Sequence, residues 1–273
     1  MKSAWRVIKE QIEYFYLIRR LSIYELRSLT SGNYLGMAWE IINPAIQVTI
    51  YWFVFGFGIR QRADVGDIPY FQWMFAGILV WFLINQGVTK SSKSIYTKIK
   101  MLSKMNFPMS VIPSYVIFAQ FYVHIVILAL GTILLQFLGY PLSTYIVQIP
   151  LYIVGVLILL LGLALILSTL TTIVRDVQML LQSIMRMLLY LSPILWPPSL
   201  LAESSETIPW ETLMKINPFY YIIEGYRYSL LGEGWYFIEN PVYTLYFIGI
   251  TAAIFIVGSY LHVKFRSQFI DFL

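Results

Sequence analysis

The sequence contains no cysteine and little charge. Of its 273 residues only 12% are Asp, Glu, Lys or Arg, whereas an ordinary soluble domain carries about 25%. The lack of cysteine excludes a disulfide framework and any cysteine-ligated metal. The low charged fraction, beside 59% hydrophobic and 17% aromatic residues, excludes an ordinary soluble enzyme and places the chain among membrane proteins.

Motifs for bond-making chemistry are missing as well. The chain has no G-x-x-x-x-G-K-[ST] phosphate-binding loop and no serine in a nucleophile-elbow context. Of its two histidines, His124 and His262, neither has a carboxylate or a second histidine at metal-ligand spacing. A membrane-embedded glycosyltransferase or phosphatase would need such a cluster at one face of the bilayer. We therefore expect no catalytic residue, metal or cofactor in this chain.

Long uncharged hydrophobic runs dominate the sequence instead. From Met105 to Val174, 70 consecutive residues include no Asp, Glu, Lys or Arg. Because about 20 apolar residues cross a bilayer, this stretch holds two spans, joined by a turn at Gly139, Tyr140 and Pro141. The runs predict an all-α, polytopic membrane protein with six transmembrane helices, at about 37–58, 70–88, 109–138, 147–172, 177–197 and 241–263.

The basic residues predict the orientation of these spans. With Arg186 set aside because it lies within the fifth predicted span, fourteen of the 19 Lys and Arg residues fall on one side and four on the other. The side richer in Lys and Arg is cytoplasmic, so both termini of this multi-pass cell-membrane protein are expected in the cytoplasm. This asymmetry also accounts for the net charge of +5, so nucleic acid is not required as a partner.

Two segments outside the spans have amphipathic patterns. Residues 1–36 form an expected interface domain ahead of the six-helix transmembrane domain, 37–273, because apolar residues recur in the first segment at helical spacing. Lying in the cytoplasmic interface and packing on the bundle both fit the pattern. The connection after the second span predicts a short helix that docks on a cytoplasmic partner or on lipid headgroups. The apolar positions are Trp5, Ile8, Ile12, Phe15 and Tyr16 in the first segment and Ile95, Ile99 and Leu102 in the second, where Lys98 and Lys100 lie between them.

A third segment, before the last span, is long and apolar. Asn217 and Pro218 can begin a helix that runs from about Phe219 to Leu231 and stops at Gly232. This helix is apolar nearly all round and should be buried, so we expect a re-entrant segment at about 198–234 that dips into the outer leaflet. Glu224 and Arg227, three residues apart, can pair on it.

Candidate transport residues are one charge and several aromatic side chains. A basic residue about ten positions into a span should face protein or water, so Arg186 either meets an anionic group of a substrate or has an internal partner. The aromatic residues fit interfacial belts, or a conduit on which sugar rings stack. They are Trp52 and Phe55 in the first span, Tyr190 and Trp196 in the fifth, and Phe219, Tyr220 and Tyr221 in the re-entrant segment.

Short motifs spread over the chain carry a family resemblance. They are Tyr34 to Trp39 with Asn43 and Pro44, Met105 to Pro108, Arg175 to Val177, and Asn217 to Phe219 with Tyr226 and Arg227. In this order, with six spans, the chain resembles the permease subunit of type-2 ATP-binding-cassette exporters of lipid-linked polysaccharide. Teichoic acid translocation permeases are the preferred branch. O-antigen exporters, and drug or lipid exporters of the same superfamily, are the alternatives, and a passive scaffolding membrane protein is the reading from another class.

The resemblance implies a division of labour between subunits. Two copies of such a permease pair with two cytoplasmic ATPase subunits, which bind the ATP and Mg²⁺, and the cargo is a polymer on undecaprenyl diphosphate. Ile95, Lys98, Ile99, Lys100 and Leu102 would then form the coupling helix in a groove of the ATPase, braced by the amino-terminal helix. The first and fifth spans would line the conduit, with Trp52, Phe55, Arg186, Tyr190 and Trp196 in it, and Phe219, Tyr220 and Tyr221 at its outer gate.

Overall fold

The computed structural model describes residues 2–30, 32, 34–59, 64–102, 108–198 and 210–269. Within these ranges the chain is helical, with no β-strand and a single bridge between Val65 and Ile68. The helices are α1 (Lys2–Glu13), α2 (Phe15–Thr30), α3 (Trp39–Tyr51), α4 (Tyr70–Ser92), α5 (Ser94–Leu102), α6 (Val111–Phe137), α7 (Ile149–Ile173), α8 (Val177–Leu191), α9 (Trp210–Lys215), α10 (Pro218–Leu231), α11 (Tyr236–Glu239) and α12 (Pro241–Phe265).

Five helical segments are long and apolar enough to cross a membrane: Gly36–Ile59, Tyr70–Ser92, Val111–Phe137, Thr144–Ile173 and Pro241–Gln268. They correspond to five of the six predicted spans. The first combines a short 3₁₀ turn, α3 and a π-helical end at Trp52–Ile59. The turn predicted between the third and fourth spans is present. Gly139 adopts a φ of +94° there, a conformation that residues with a side chain rarely adopt.

The fifth predicted span is shorter than expected. It is the helix α8 of 15 residues, about 22 Å long at 1.5 Å per residue, against a hydrocarbon core of about 30 Å. The helix ends because Ser192, just before Pro193, is extended, with φ −78° and ψ 145°. A residue that precedes proline is disfavoured in the helical region, so the predicted limit at 197 was too late.

The amino-terminal segment is two helices rather than one, separated at Tyr14. The side of α1 that carries Ala4 and Val7 packs on the bundle. Trp5 and Ile12 on the other side are 69% and 71% exposed. An exposed apolar face on a helix attached to the bundle is the arrangement expected of an interface helix.

The core surrounds α4, which packs against α6, α7 and α10. The helices α7 and α12 form the other close pair: a Cβ built on Gly258 would lie 2.5 Å from the carbonyl oxygen of Gly162. Small residues at such a crossing let two membrane helices approach closely. The first span is peripheral, since 11% of its most apolar 18-residue stretch is buried, against 78% for α4.

Candidate functional site

Arg227 joins three elements inside the bundle. Its guanidinium Nε donates to the carbonyl of Trp73 at 3.1 Å, and Nη2 donates to the carbonyl of Pro193 at 2.6 Å. Nη1 pairs with Glu224 at 2.5 Å, and the guanidinium lies 3.6 Å from the centre of the Trp73 ring. The side chain is fully buried, so these contacts satisfy a charge that would otherwise be very costly there.

The helix α10, which carries Arg227, is capped at both ends. The Asn217 side chain accepts a hydrogen bond from the backbone of Phe219 at 3.0 Å, and Gly232 ends the helix with a φ of +78°. The predicted helix and its burial are therefore confirmed. Its amino end packs on Trp81, the twelfth residue of α4, and its carboxyl end lies against Ser143 in the turn before α7.

The three predicted gate residues lie inside this packing. Phe219, Tyr220 and Tyr221 are 3–6% exposed. Tyr221 stacks on Phe247 with ring centres 4.6 Å apart and shares a 2.9 Å hydrogen bond with Thr244. These rings fasten α10 to its neighbours, and none presents an open surface to a passing ligand.

The predicted conduit residues of the first span gather near the start of α4. Trp52 packs edge-on against Phe71, with ring centres 5.7 Å apart, and against Phe57 at 4.9 Å. Phe55 is half-buried against the core. The neighbouring Phe53 is 65% exposed, so this aromatic group offers a surface outside the bundle.

The conduit residues of α8 split between two surfaces. Trp196 folds back after the helix and donates its indole N–H to the carbonyl of Tyr190 at 2.6 Å. The Tyr190 ring itself is 52% exposed. Arg186 is exposed on the same helix, where it contacts the Gln182 carbonyl at 3.3 Å and the Ser183 hydroxyl at 3.4 Å.

Tyr70 links the end of α8 to the end of the first span. At the start of α4, its hydroxyl donates to the carbonyl of Leu195 at 2.7 Å. Its ring lies beside Trp52 around Gly56, where a Cβ would be 3.1 Å from each ring. The structure thus brings the first-span and α8 candidates to one end of the bundle, and Arg186 lies about one turn before Tyr190 on α8.

The predicted coupling helix exists as α5, and two of its predicted coupling residues, Ile95 and Lys98, contact other parts of the chain. Ile95 is fully buried in a cluster with Ile18 of α2 and Phe269. Lys98 pairs with Glu25 of α2 and lies 4.8 Å from the centre of the Tyr115 ring. The side chains of Ile99, Lys100 and Leu102 lie outside the described residues.

The helix α1 is fastened to the same end of the bundle by Glu10. Its carboxylate accepts hydrogen bonds from the Ser110 hydroxyl and, at 2.8 Å, from Arg266 at the end of the chain. Burial alone would raise the pKa of the Glu10 carboxyl, but these hydrogen bonds and the Arg266 charge outweigh it and hold the pKa below the usual value. The three elements α1, α2 and α5 therefore form one docked assembly.

Two features of this arrangement escaped the sequence analysis. Arg227 was expected to give ordinary helix support, because an i, i+3 pair with Glu224 is all that the spacing reveals. Gln178 was not singled out, yet it accepts from Ser92 at 2.5 Å and donates to the Thr89 carbonyl at 3.2 Å. The Asp176 side chain makes no hydrogen bond that caps α8.

Comparison with known proteins gives two findings. The family model described as ABC-2 type transporter matches residues 16–231. The O-antigen export system permease protein RfbA of Myxococcus xanthus is 25% identical over 222 residues, which cover 81% of this chain and 83% of that protein. In general, membership of this family implies an ATPase partner and a dimer. With its apolar helices and a family match over most of its length, the chain belongs to the ABC-2 type transporter family as a multi-pass membrane permease.

Proposed function

We propose that this chain is the permease subunit of an ATP-driven exporter that moves a lipid-linked polysaccharide from the cytoplasmic side to the outer face of the cell membrane. Two copies would form the passage and two ATPase subunits would supply the energy. The similarity to an O-antigen export permease supports polysaccharide as the cargo. It favours an O-antigen type of polymer over teichoic acid, the branch preferred from sequence.

The observation that carries the proposal is the exposed surface of the first span and α8. These are the elements that the family resemblance assigns to the conduit. Only 11% of the most apolar 18-residue stretch of the first span is buried, and four of the 15 residues of α8 are buried. Phe53 and Tyr190 present open aromatic rings there, and Tyr70 connects the two elements through Leu195 and Trp52. Aromatic rings stack on the C–H faces of sugars, which suits a polymer that slides without tight polar binding.

The gate role of α10 belongs, in this proposal, to the helix as a unit. Phe219, Tyr220 and Tyr221 are buried within the chain, so opening would move α10 together with the groups attached to Arg227. The depth of the helix supports a re-entrant segment, because it begins beside Trp81 within the bundle and ends beside Ser143 in a connecting turn. Coupling to the ATPase would use α5 held by Ile95 and Lys98.

Depletion of the chain in its own cells tests the cargo. We expect lipid-linked polysaccharide to accumulate on the cytoplasmic side, and its repeat unit separates the two polymer classes. Sugar repeats without a phosphodiester-linked polyol backbone support the O-antigen type. Accumulation of a small drug, with polymer export unchanged, contradicts the proposal.

A further inference from the structure

A groove runs between α3, α4 and α6, and its two halves differ in chemistry. One half is a polar pocket of about 160 Å³ and the other is an apolar pocket of about 350 Å³. The two adjoin, because Pro44, Phe82 and Ile127 line both. The polar half lies near the end of α4 that leads into α5. Its polar lining side chains are Glu40, Asn43, Gln47, Gln86, Lys90, Gln120 and His124.

The polar half holds a hydrogen-bond donor without a protein partner. Gln120 is 3% exposed, and its Oε1 accepts from Lys90 Nζ at 3.0 Å. Because an ammonium group only donates, the oxygen of the Gln120 amide must face Lys90. The Nε2 donor of this amide therefore points away from that bond. Nε2 is buried and has no hydrogen-bond partner among the described residues. A buried donor of this kind calls for an acceptor.

The charges of the polar half are one of each sign, held slightly apart. Lys90 Nζ lies 4.0 Å from a carboxylate oxygen of Glu40, with side chains 23% and 24% exposed. A phosphate oxygen placed beside Lys90 and Gln120 Nε2 would satisfy both donors. A ligand with a phosphate alone would leave Glu40 facing a like charge, whereas a ligand that also carries an ammonium group complements it.

The apolar half suits a hydrocarbon chain. Along α3 its lining runs from Ile41 to Trp52, about 17 Å at 1.5 Å per residue, close to one leaflet of a hydrocarbon core of about 30 Å. Its lining residues Ile41, Leu130 and Leu134 are exposed, so the groove is open along its side. Its polar end lies beside Glu40 and Lys90, at the predicted cytoplasmic ends of the first two spans, where a headgroup would meet the chains.

We propose that this groove binds one phospholipid with an aminoethyl phosphate headgroup, phosphatidylethanolamine. Its phosphate accepts from Lys90 and Gln120, its ammonium faces Glu40, and one acyl chain fills the apolar half beside Ala45. The first span is little covered by protein, and the lipid packs against it instead. The lipid thereby holds the first span to α4 and α6. The Glu40 carboxylate disfavours a lipid diphosphate, so the groove selects against the lipid carrier of the cargo, although Trp52 of the predicted conduit also lines its apolar half.

Native mass spectrometry of the purified chain in mixed lipid nanodiscs tests the site. The discs contain phosphatidylethanolamine, phosphatidylglycerol and an isoprenoid phosphate in equal amounts. We expect phosphatidylethanolamine to be retained preferentially. We expect about tenfold weaker retention in Gln120→Leu, the size of one lost charge-assisted hydrogen bond. The matched control is Lys93→Gln. This change removes an exposed charge near the groove, and Lys93 does not line the groove.

A second variant separates loss of binding from loss of folding. Ala45→Phe fills the apolar half from an exposed position and leaves every polar group in place, and Ala253→Phe makes the same change on the exposed face of α12. We expect only Ala45→Phe to lose the lipid, with thermal unfolding close to wild type in both. Equal retention of all three lipids, stronger retention of the isoprenoid phosphate, or unchanged binding in both Gln120→Leu and Ala45→Phe would overturn the proposal.

Discussion

Among single residues, Arg227 carries more of the fold than its sequence context indicates. Its guanidinium satisfies backbone carbonyls from α4 and from the turn after α8, in addition to the Glu224 carboxylate. The sequence predicts only the last of these, because spacing along a helix reveals local neighbours. The carbonyl of Pro193 lies 34 positions away, and no pattern in the sequence links the two.

Replacement of Arg227 by Leu is expected to destabilise the protein strongly. The change removes the cation that pairs with Glu224 and the donor to the Trp73 and Pro193 carbonyls. Removal of one partner from a buried ion pair costs about 3–5 kcal/mol. Thermal unfolding in detergent measures the loss. Arg186→Leu is the matched control, and because Arg186 is exposed and bonds only weakly within its own helix, we expect a change within about 0.5 kcal/mol. Equal effects from the two changes would contradict the central placement of Arg227.

A glycine substitution probes the same group from α4. A Cβ on Gly77 would lie 2.7 Å from Arg227 Nη2, so Gly77→Ala must displace the guanidinium and is expected to cost about 1–3 kcal/mol. Gly249→Ala on α12 has open space around the new methyl and should stabilise its helix by about 0.8–1 kcal/mol. Opposite shifts in the unfolding temperature are the expected result.

Among the elements, α1, α2 and α5 are held in the bundle by long-range pairs. Glu10 bonds with Arg266 and Glu25 with Lys98, at separations of 256 and 73 residues. Helical periodicity, together with Asn217 and Gly232 at the two ends of α10, predicted the helices α5 and α10 well. These signals depend only on residues close together in the sequence. They could not predict which side of α5 faces the chain. Ile95, one of the predicted coupling residues, is fully buried within it.

Charge exchange tests the docking of α5. Lys98→Glu places two carboxylates together and is expected to release α5 and uncouple ATP hydrolysis from export. Glu25→Lys combined with Lys98→Glu restores opposite charges and should recover most of the coupling. The measurement is ATPase activity and export with the partner subunit. Recovery that is absent in the double variant would mean that Lys98 acts directly on the partner rather than through Glu25.

Acid should loosen α1. Because the pKa of Glu10 is depressed in the folded protein, its contribution is present above the unfolded-state pKa and is lost as the pH falls through the folded value. Hydrogen exchange of α1 amides should therefore quicken as the pH falls below about 4.5, after correction for the intrinsic rate. In Glu10→Gln this pH dependence should flatten, and an unchanged profile would contradict the role of the pair.

For the whole molecule, composition and hydropathy predicted the class and most of the spans. The error at α8 arose from counting apolar residues through Pro193, where the backbone must leave the helix. The exposure of the first span and α8 could not be predicted from the sequence. Hydropathy does not distinguish a helix buried in its own chain from one that faces lipid, cargo or a second copy. Family membership supplies the expectation of a dimer.

The most direct measurement is transport by the purified chain in liposomes, with and without its ATPase subunit. The account predicts that lipid-linked polysaccharide crosses the bilayer only when the ATPase and ATP are both present. Movement of the polymer by this chain alone, or no movement in the complete assembly with ATP, would contradict it.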